Sequence, residues 1–499
     1  MLTLDQLGII EEDWNQTPAS VRTALMFFIQ QNQRLENGCA TYGLQIQRLE
    51  AELERLKKLE LEVAELRERL GQNSQNSSKP PSSDPLSVPR PRKHQPSGRK
   101  RGGQRGHQGH GRTLLPPEQV DHIVELRLVN YHRCGLLLLS DDPMPARRQI
   151  SELPPARAEV TEYRQHTLDC PHCGASNRAE WPEEMPSGCI GPRAQAVIGY
   201  LTGRLALSHR DVVEAMEALH GLSLSLGSVS AIQQQVSRAL EQPVKTARQY
   251  VHQQPVNHVD ETGWPEGDKQ KWLWINATPR ATVFRIMIGR GQAEAREVIG
   301  RGYLGTVNTD RYAAYNWVNA HRRQLCWAHL KREFEAIKER GGASAEIGER
   351  LGDEVKAIFG LWHELRAGSL NREEFQQKME PIQARVRNLL SKGTQCDQAK
   401  TRRTCENLLK MEVSLWTFVR EQCVEPTNND AERPLRRAVL WRRKSFGTES
   451  ESGSRFVERI LTVVTTLRQQ GRDVLDYLTA VCRSINQESG SICLIPDSS

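Results

Sequence analysis

The sequence predicts a multidomain protein that combines an α/β region with regions built only of helices. Three observations support this fold class. Apolar residues recur at steps of three and four between residues 42 and 70, strand-like segments cluster between residues 255 and 327, and residues 330–423 show helical periodicity alone. A chain of 499 residues is long enough for about three or four domains.

The composition is that of a soluble protein with solvated segments. Hydrophobic residues make up 37% of the chain and charged residues 26%, and no run approaches the roughly 20 apolar residues of a membrane span. The N-terminal residues lack the basic-then-apolar pattern of a secretory signal. The 11 cysteines are scattered, which favours reduced thiols over a disulfide framework. We therefore expect a cytoplasmic protein with no membrane partner.

Residues 1–70 are predicted to form N-terminal helices that include a coiled coil. The apolar positions of the repeat are Ile46, Leu49, Leu53, Leu56, Leu59, Val63, Leu66 and Leu70. Such a seam joins helices of different copies, so a homo-oligomer is expected. The alternative is a single amphipathic helix that packs on its own chain, although the polar segment that follows offers nothing to pack against.

Residues 71–113 are predicted to form a basic, disordered tether. They hold nine Lys or Arg residues and one acid, Asp84, so this segment has a net charge of +8. The whole chain has a net charge of +7, so the basic excess lies in this segment alone. Clustered cations of one sign suit a polyanion, because they neutralise phosphates and release counterions. The expected DNA-binding residues are Arg99, Lys100, Arg101 and Arg105. The alternative is a solvated linker without a ligand.

Residues 114–195 are predicted to form a small zinc-knuckle-like region. Cys170 and Cys173 have the spacing of one zinc-ligand pair. The other pair is incomplete, because Cys134 is preceded by His132 as a substitute ligand. Zinc is therefore one expected cofactor, and the alternative is a relic knuckle whose cysteines pack or remain free.

Residues 196–250 are predicted to be helical, with a helix-turn-helix as one interpretation. One helix covers residues 211–219, Gly221 breaks it, and Ser228 is expected to cap the next helix. A helix pair of this kind reads DNA in many proteins, but it is also common in any helical domain.

An α/β pattern covers residues 251–333. Two strand-like segments flank the turn at Pro279, and a further strand ends at Asp260. Helix-like segments at residues 293–299 and 312–318 then alternate with short strands. The pattern is compatible with an RNase H-like catalytic domain. Its first part would be residues 251–333, a helical insertion would cover 334–423, its second part would be 424–470, and a C-terminal helix and tail would cover 471–499.

Acidic residues lie near the ends of predicted elements in this α/β region. Asp310 follows the strand predicted at residues 305–309, and Asp260 and Glu261 are neighbours in an earlier strand. Neighbours in a strand point to opposite faces, so at most one of this pair faces a shared site, and periodicity does not choose between them. Clustered carboxylates are the ligands that Mg²⁺ prefers, and with bound metal they support cleavage of phosphodiesters.

Glu432 is the third candidate acid. It has an alternative explanation, because Asn429 as the N-cap with Glu432 three residues later matches a capping box. Pro434 is expected to disturb the helix that follows, since a proline past the first turn removes a helical hydrogen bond.

A basic stretch follows Glu432 directly. Residues 433–444 contain no acid and six cations, namely Arg433, Arg436, Arg437, Arg442, Arg443 and Lys444. A helix through this stretch would present guanidinium groups to a DNA backbone, and a solvated helix face is the alternative.

Several of these segments are motifs of one known family. The matching segments are Asp260-Glu261-Thr262, Thr309-Asp310-Arg311-Tyr312-Ala313-Ala314-Tyr315, Cys326-Trp327-Ala328-His329, Asn428-Asn429-Asp430-Ala431-Glu432-Arg433, residues 75–84 and residues 101–107. In these motifs and in their order the chain strongly resembles the DDE transposases of the insertion-sequence 66 family, over roughly residues 20–485. It departs from the family at Tyr131, which replaces the first cysteine of the first zinc pair.

The resemblance implies a function and its site. Asp260, Asp310 and Glu432 become the catalytic, metal-binding acids, which selects Asp260 over Glu261. The implied reaction is hydrolysis at the ends of a DNA element with Mg²⁺ or Mn²⁺, followed by attack of the freed 3′-hydroxyl on target DNA. The implied partners are terminal inverted repeats, target DNA and accessory proteins of the same element. A bacterial protein that associates with the nucleoid when bound to DNA is expected.

Two other functions compete with an active transposase. One is a non-catalytic DNA-binding protein, either a decayed transposase or a regulator, which the incomplete zinc pair suggests. The other is a nuclease that cuts DNA but does not join it. Cleavage and strand-transfer assays separate the three.

Overall fold

The computed structural model describes residues 8–77, 113–127, 129–130, 132–137, 142, 144–182, 185, 188–485 and 492–496. The chain divides into two compact units. The first comprises Met1–Val88 and Arg332–Gly348, and the second comprises Pro89–Lys331 and Glu349–Ser499. Across the described ranges, the helices are all too short or too polar to cross a membrane.

The first unit is dominated by one long helix. After the short α1 (Glu11–Gln16), α2 runs unbroken through Ala19–Gly71. All eight positions of the predicted repeat lie on α2 and are exposed, from 44% at Val63 to 85% at Leu70. The prediction of helix is confirmed, and pairing with another copy stays a prediction. Residues 78–112 lie outside the described residues, and with them Arg99, Lys100, Arg101 and Arg105.

A small hairpin opens the second unit. Its strands β1 (Thr167–Asp169) and β2 (Ser176–Arg178) are antiparallel, and the Cys170–Cys173 segment lies in the turn between them. Four helices follow, namely α3 (Pro192–Gly203), α4 (His209–His220), α5 (Leu226–Ala239) and α6 (Glu241–His252).

The predicted helix pair is present as α4 and α5. Gly221 ends α4 in the left-handed conformation at φ 60°, as its position predicts. The predicted cap of α5 is wrong by one turn. Ser225 caps this helix, because its hydroxyl accepts a hydrogen bond from the Ser228 backbone N–H at 3.0 Å.

A five-stranded mixed sheet forms the centre of the second unit. Its strands are β3 (Val256–Glu266), β4 (Lys269–Ala277), β5 (Thr282–Met287), β6 (Thr306–Thr309) and β7 (Arg323–Leu325), with α7 (Gln292–Ile299) between β5 and β6. The spatial order is β5-β4-β3-β6-β7. β3, β4 and β5 pair antiparallel, whereas β3, β6 and β7 pair parallel. β3 is therefore the central strand.

The remainder of the chain is helical where it is described. The helices are α8 (Trp327–Glu339), α9 (Gly342–Arg366), α10 (Arg372–Gly393), α11 (Ala399–Lys410), α12 (Glu412–Leu415), α13 (Thr417–Arg420), α14 (Asn429–Ser445), α15 (Glu451–Gln469) and α16 (Val474–Ser484). The prediction of helices without strands over residues 330–423 is confirmed. α14 also continues through Pro434, so the expected disturbance does not end the helix.

Helices cover both faces of the sheet. On one face Trp264 of β3 packs with Leu435 of α14 and Leu461 of α15. On the other face Val259 of β3 packs with Val298 of α7. Because β3 is buried on both sides, its even-numbered residues face α14 and its odd-numbered residues face α7.

Candidate active site

Asp260 lies in β3 on the face that packs against α14. It shares this face with Trp264, four residues along the strand. The pKa of the Asp260 carboxyl is raised well above its usual range, first because the group is desolvated, and then because negative charge surrounds it on Glu261, Asp310 and Glu432. Asp260 therefore lies within electrostatic range of both Asp310 and Glu432.

The Glu261 side chain points to the opposite face of β3, where it is hydrogen-bonded. Its carboxylate accepts a hydrogen bond from Arg290 Nε at 2.9 Å and another from the Tyr315 hydroxyl. Arg290 in turn stacks on the Tyr312 ring, with 3.9 Å between the guanidinium carbon and the ring centroid. These contacts give Glu261 hydrogen-bond partners on the face of β3 opposite Asp260. Asp310 lies near both acids, because after burial its charge also raises the pKa of Glu261.

Asp310 follows β6 at the edge beside Asp260. In the parallel register Asn257 lies opposite Val307 and His258 lies opposite Asn308. The pairing ends there, and Asp310 follows Asn308 by two residues, as Asp260 follows His258 by two. One oxygen of Asp310 accepts the Tyr312 backbone N–H at 2.8 Å, which fixes the orientation of the carboxylate.

Glu432 is placed by the first turn of α14. The residue before this helix is Asn428, whose buried side chain donates to the Val259 main-chain oxygen at 2.8 Å instead of capping the helix. Asn429 is already helical, so the capping-box explanation of Glu432 does not hold. The Glu432 carboxylate is therefore not used as part of a helix cap.

Two residues at this site were not predicted as site residues. Cys326 precedes α8 and His329 lies in its first turn. Their side chains approach Glu432 Oε1, at 3.8 Å from Cys326 Sγ and 3.5 Å from His329 Nδ1. His329 Nδ1 is buried and has no hydrogen-bond partner among the described residues. Burial and the Glu432 charge raise the pKa of the Cys326 thiol to about 12, so it remains a neutral S–H group. The sequence feature that could have indicated them is the Cys326-Trp327-Ala328-His329 motif, which by itself does not show that the two side chains contact Glu432.

Oxygen ligands of this kind fit a hard divalent cation. Asp260, Asp310 and Glu432 supply carboxylates, and a cation would relieve the repulsion that raises the Asp260 pKa. Within the described ranges, the tight group of ligand atoms, all within 4.8 Å of one another, is Cys326, His329 and Glu432. Asp260 and Asp310 lie outside that tight group, as like charges favour. Glu432 is thus the one predicted acid that also belongs to this tight group.

Cys170 and Cys173 of the predicted zinc site lie together in the turn between β1 and β2. The backbone N–H groups of Cys173 and His172 lower the pKa of the Cys170 thiol. The turn is closed by the Gly174 backbone N–H, which donates to the Cys170 carbonyl at 2.8 Å. His132 and Cys134 join no tight ligand group among the described residues. Zinc binding stays a prediction, and Tyr131 lies outside the described residues.

The six predicted cations of α14 differ in exposure: five are exposed to solvent, and one binds to β3. Arg433, Arg436, Arg437, Arg443 and Lys444 are exposed. Arg442 is instead half-buried, and its Nη1 donates to Thr262 Oγ1 at 3.0 Å and to the Gly263 carbonyl. Of the five exposed cations, Arg433 pairs with Asp430 at 3.3 Å. Arg442 holds α14 against β3.

Comparisons with known proteins agree with the motifs. The model of the family described as "Transposase IS66 family" matches residues 188–455, which is more than half of the chain. That range contains all three acids, Cys326, His329 and the basic face. A second family model, for a family of unknown function (DUF6444), matches residues 31–113.

Two similar proteins come from Sinorhizobium fredii. The chain is 28% identical over 243 residues to the uncharacterized protein y4qI, which covers 43% of this chain and 44% of that protein. It is 24% identical over 395 residues to the uncharacterized protein y4hP, which covers 70% of each. The chain thus matches less than half the length of the first relative.

Proposed function

The chain belongs to the IS66 family of transposases, and on that premise we propose that it cuts the ends of a DNA element and joins them to target DNA. The observation that supports the proposal most is that Asp310 and Glu432 both lie near enough to Asp260 for their charges to raise its pKa. These acids come from a central strand, the end of its neighbour and a helix more than 100 residues later. Their charges act together on the pKa of Asp260.

The catalytic domain that we propose is RNase H-like and split. Its support is the strand order, in which three antiparallel strands are followed by two parallel ones beside the central strand. The helices α8–α13 separate β7 from α14. In this proposal they form the insertion, and α14 completes the site with Glu432.

Asp260, Asp310 and Glu432 would hold the divalent metal of this reaction. Mg²⁺ or Mn²⁺ supplies Lewis-acid chemistry that activates an attacking oxygen and stabilises a leaving oxygen on phosphorus. The protein contributes a rigid frame, because Asp260 is held by the central strand and Asp310 by its bond from the Tyr312 N–H. Cys326 and His329 would position the Glu432 carboxylate.

The proposed reaction has two balanced steps. In the first, a water oxygen bonds to the phosphorus at the element end, the bond from phosphorus to the 3′ oxygen breaks, and the water proton ends on that oxygen. In the second, the freed 3′-hydroxyl oxygen bonds to a target phosphorus, and a target 3′ oxygen leaves and takes the proton. The exposed cations of α14 would hold the DNA backbone during both steps.

The remaining parts of the proposal concern assembly and DNA capture. The exposed apolar stripe of α2 supports pairing with a second copy, because an isolated stripe of this length leaves much apolar surface in water. The tether is proposed to bind DNA through its basic residues, and Cys170 and Cys173 with Cys134 and His132 to bind Zn²⁺. Accessory proteins of the element are proposed as further partners.

The test compares three variants with one control on DNA that carries the terminal inverted repeats. Asp260→Asn, Asp310→Asn and Glu432→Gln are each expected to lower Mg²⁺-dependent cleavage by at least about 100-fold, with DNA binding retained. Asp397→Asn alters an exposed acid in another region and is expected to cleave normally.

The outcomes separate the proposed transposase from its competitors. Unchanged cleavage in all three variants would disprove the triad. Binding without cleavage by the parent protein in any divalent metal would favour the non-catalytic DNA-binding protein. Cleavage without joined products in a strand-transfer assay would identify a nuclease.

A further inference from the structure

One exposed aromatic ring stands at the C-terminal end of α14. Phe446 is 84% exposed, and its backbone has φ 60°, in the left-handed region that disfavours most residues other than glycine, asparagine and aspartate. The nearby Trp441 is different, because its ring packs against Phe456 with 6.4 Å between the ring centroids. Phe446 therefore combines an unfavourable backbone conformation with a side chain that gains little from burial.

The segment that carries Phe446 is tightly bonded on both sides. Ser445 Oγ donates to the Trp441 carbonyl at 3.1 Å, and the Thr448 backbone N–H donates to the Pro265 carbonyl at 3.0 Å. Gly447 has φ 109°, and a Cβ there would collide with the same Pro265 oxygen. The ring is thus presented on a rigid base that is tied to the end of β3.

The surface that leads to Phe446 is basic. Exposed residues of α14 recur at steps of three or four, and the stripe that they form consists of Arg433, Arg436, Arg437, Leu440, Arg443 and Lys444. No acid occurs between residues 433 and 448. This stripe complements a phosphate backbone, and it ends at the aromatic ring.

The stripe also has a defined length. Phe446 follows Glu432 by 14 residues, which is about 21 Å along a helix. At about 3.4 Å per nucleotide, that distance corresponds to about six nucleotides of DNA. A strand bound at the acids and along α14 would reach Phe446 at that point.

We propose that Phe446 is a base-stacking residue, whose ring packs on an unpaired base of DNA held along the exposed stripe of α14. An aromatic face stacks on any base, so the contact would recognise a distorted or opened duplex without reading its sequence. The distance between the stacked base and the cleaved phosphodiester rests on the proposed function. The stacking of Phe446 on a base does not depend on it.

The experiment uses the full-length protein in metal-free buffer and measures binding, so its result does not depend on cleavage. The probes are a duplex with one unpaired 2-aminopurine and a fully paired duplex of the same sequence. The parent is expected to bind the first on the order of tenfold more tightly and to quench its fluorescence. Failure of either would overturn the proposal.

Four variants separate stacking from charge and from folding. Phe446→Asn is expected to lose both the preference and the quenching, and it should fold well because asparagine tolerates the left-handed conformation. Phe446→Leu should also lose both, whereas Phe446→Trp should keep both. Leu440→Ala, on the same stripe, should leave the preference unchanged.

Salt dependence provides a further criterion. The slope of affinity against salt is expected to be the same for the parent and Phe446→Asn, since no charge is lost. A Phe446→Asn or Phe446→Leu protein that still prefers the unpaired base would overturn the proposal. A lower salt slope in Phe446→Asn would overturn it as well, because the ring would then be supporting phosphate contacts.

Discussion

The side chain of Asn428 donates a hydrogen bond to the main-chain oxygen of Val259 across 2.8 Å. Val259 precedes Asp260 on the central strand, and Asn428 lies one helical turn before Glu432. Since the Asn428 backbone N–H also bonds Cys326 Sγ at 3.2 Å, one buried residue joins β3, α8 and α14. This contact sets the separation of two of the three acids.

Removal of the Asn428 side chain is expected to damage both the fold and the site. Asn428→Ala leaves the buried Val259 carbonyl without its partner, which costs about 1–3 kcal/mol of the free energy of unfolding. Because α14 loses the tie to β3 that lies next to Glu432, cleavage should fall by about 10- to 100-fold at temperatures where the variant is folded. Denaturant unfolding and cleavage rates measure the two effects.

Asn276→Ala is the matched control. Asn276 is also buried in the sheet, and its side chain donates to the Val298 carbonyl at 3.0 Å, on the side of α7. It should lose similar stability and keep its cleavage rate. Equal loss of cleavage in both variants would show that Asn428 acts only through general stability.

The pKa of Asp260 predicts how the metal-free protein responds to pH. A raised folded-state pKa means that the folded protein binds a proton that the unfolded chain has released, so stability falls as pH rises above the ordinary carboxyl range. The fall is at most about 1.4 kcal/mol per pH unit for this group. Urea unfolding in the presence of a chelator, at a series of pH values, should show it.

Asp260→Asn should flatten that dependence and make the metal-free protein more stable near neutral pH. Part of the slope should remain, because burial also raises the pKa of Glu261. Asp397→Asn should leave the curve unchanged. A steeper slope in Asp260→Asn than in the parent would show that this carboxyl is not under electrostatic stress.

His329 is expected to influence metal use through Glu432. His329→Ala removes a ring nitrogen 3.5 Å from the Glu432 oxygen, so this carboxylate should be less well oriented. The Mg²⁺ concentration for half-maximal cleavage should rise by about 10- to 100-fold, with most of the rate recovered at saturating metal.

His321→Ala is the control for this prediction, because His321 is exposed in a short turn before β7. It should need no more Mg²⁺ than the parent. If His329→Ala lost cleavage at every metal concentration, His329 would have a direct part in the reaction, and the positioning role would be wrong.

The two kinds of arginine on α14 should respond differently to substitution. Arg436→Gln removes an exposed cation, so DNA affinity should fall and the slope of log affinity against log salt should decrease by about one. Arg442→Gln should change that slope little and should lower stability, since Arg442 bonds Thr262 and Gly263. Salt titrations of DNA binding, together with thermal unfolding, distinguish the two. Equal slopes for Arg436→Gln and the parent would exclude Arg436 from phosphate contact.

Much of the secondary structure could be predicted, because local patterns carry it. The helix of the N-terminal repeat, the strand before Asp310 and the helices of residues 330–423 all follow from periodicity. The strand predicted to end at Asp260 instead runs through Val256–Glu266, so Asp260 lies inside it. The helix expected at residues 312–318 is only a short 3-10 turn at Ala313–Tyr315. There Arg323 binds the Asp310 carbonyl at 3.0 Å, a contact from a distant strand that no local pattern shows.

The site could be predicted only in part, because tertiary packing decides its details. Periodicity placed Asp260 and Glu261 on opposite faces, but β3 is covered on both sides, so only the packing of Trp264 on α14 identifies the face of the acids. Pro434 was expected to disturb α14. A proline near the start of a helix removes one hydrogen bond, however, and the helix continues through it. Cys326 and His329 meet Glu432 across about 100 residues of intervening helices, which spacing does not reveal.

The most direct test of the central claim is the location of bound metal. Crystals of the protein soaked in Mn²⁺ should show an anomalous diffraction peak bonded to Asp260 and to at least one of Asp310 and Glu432, and crystals of Asp260→Asn should lose it. A peak bonded only to Cys326 and His329, or a peak that persists in Asp260→Asn, would contradict a shared metal site of the three acids.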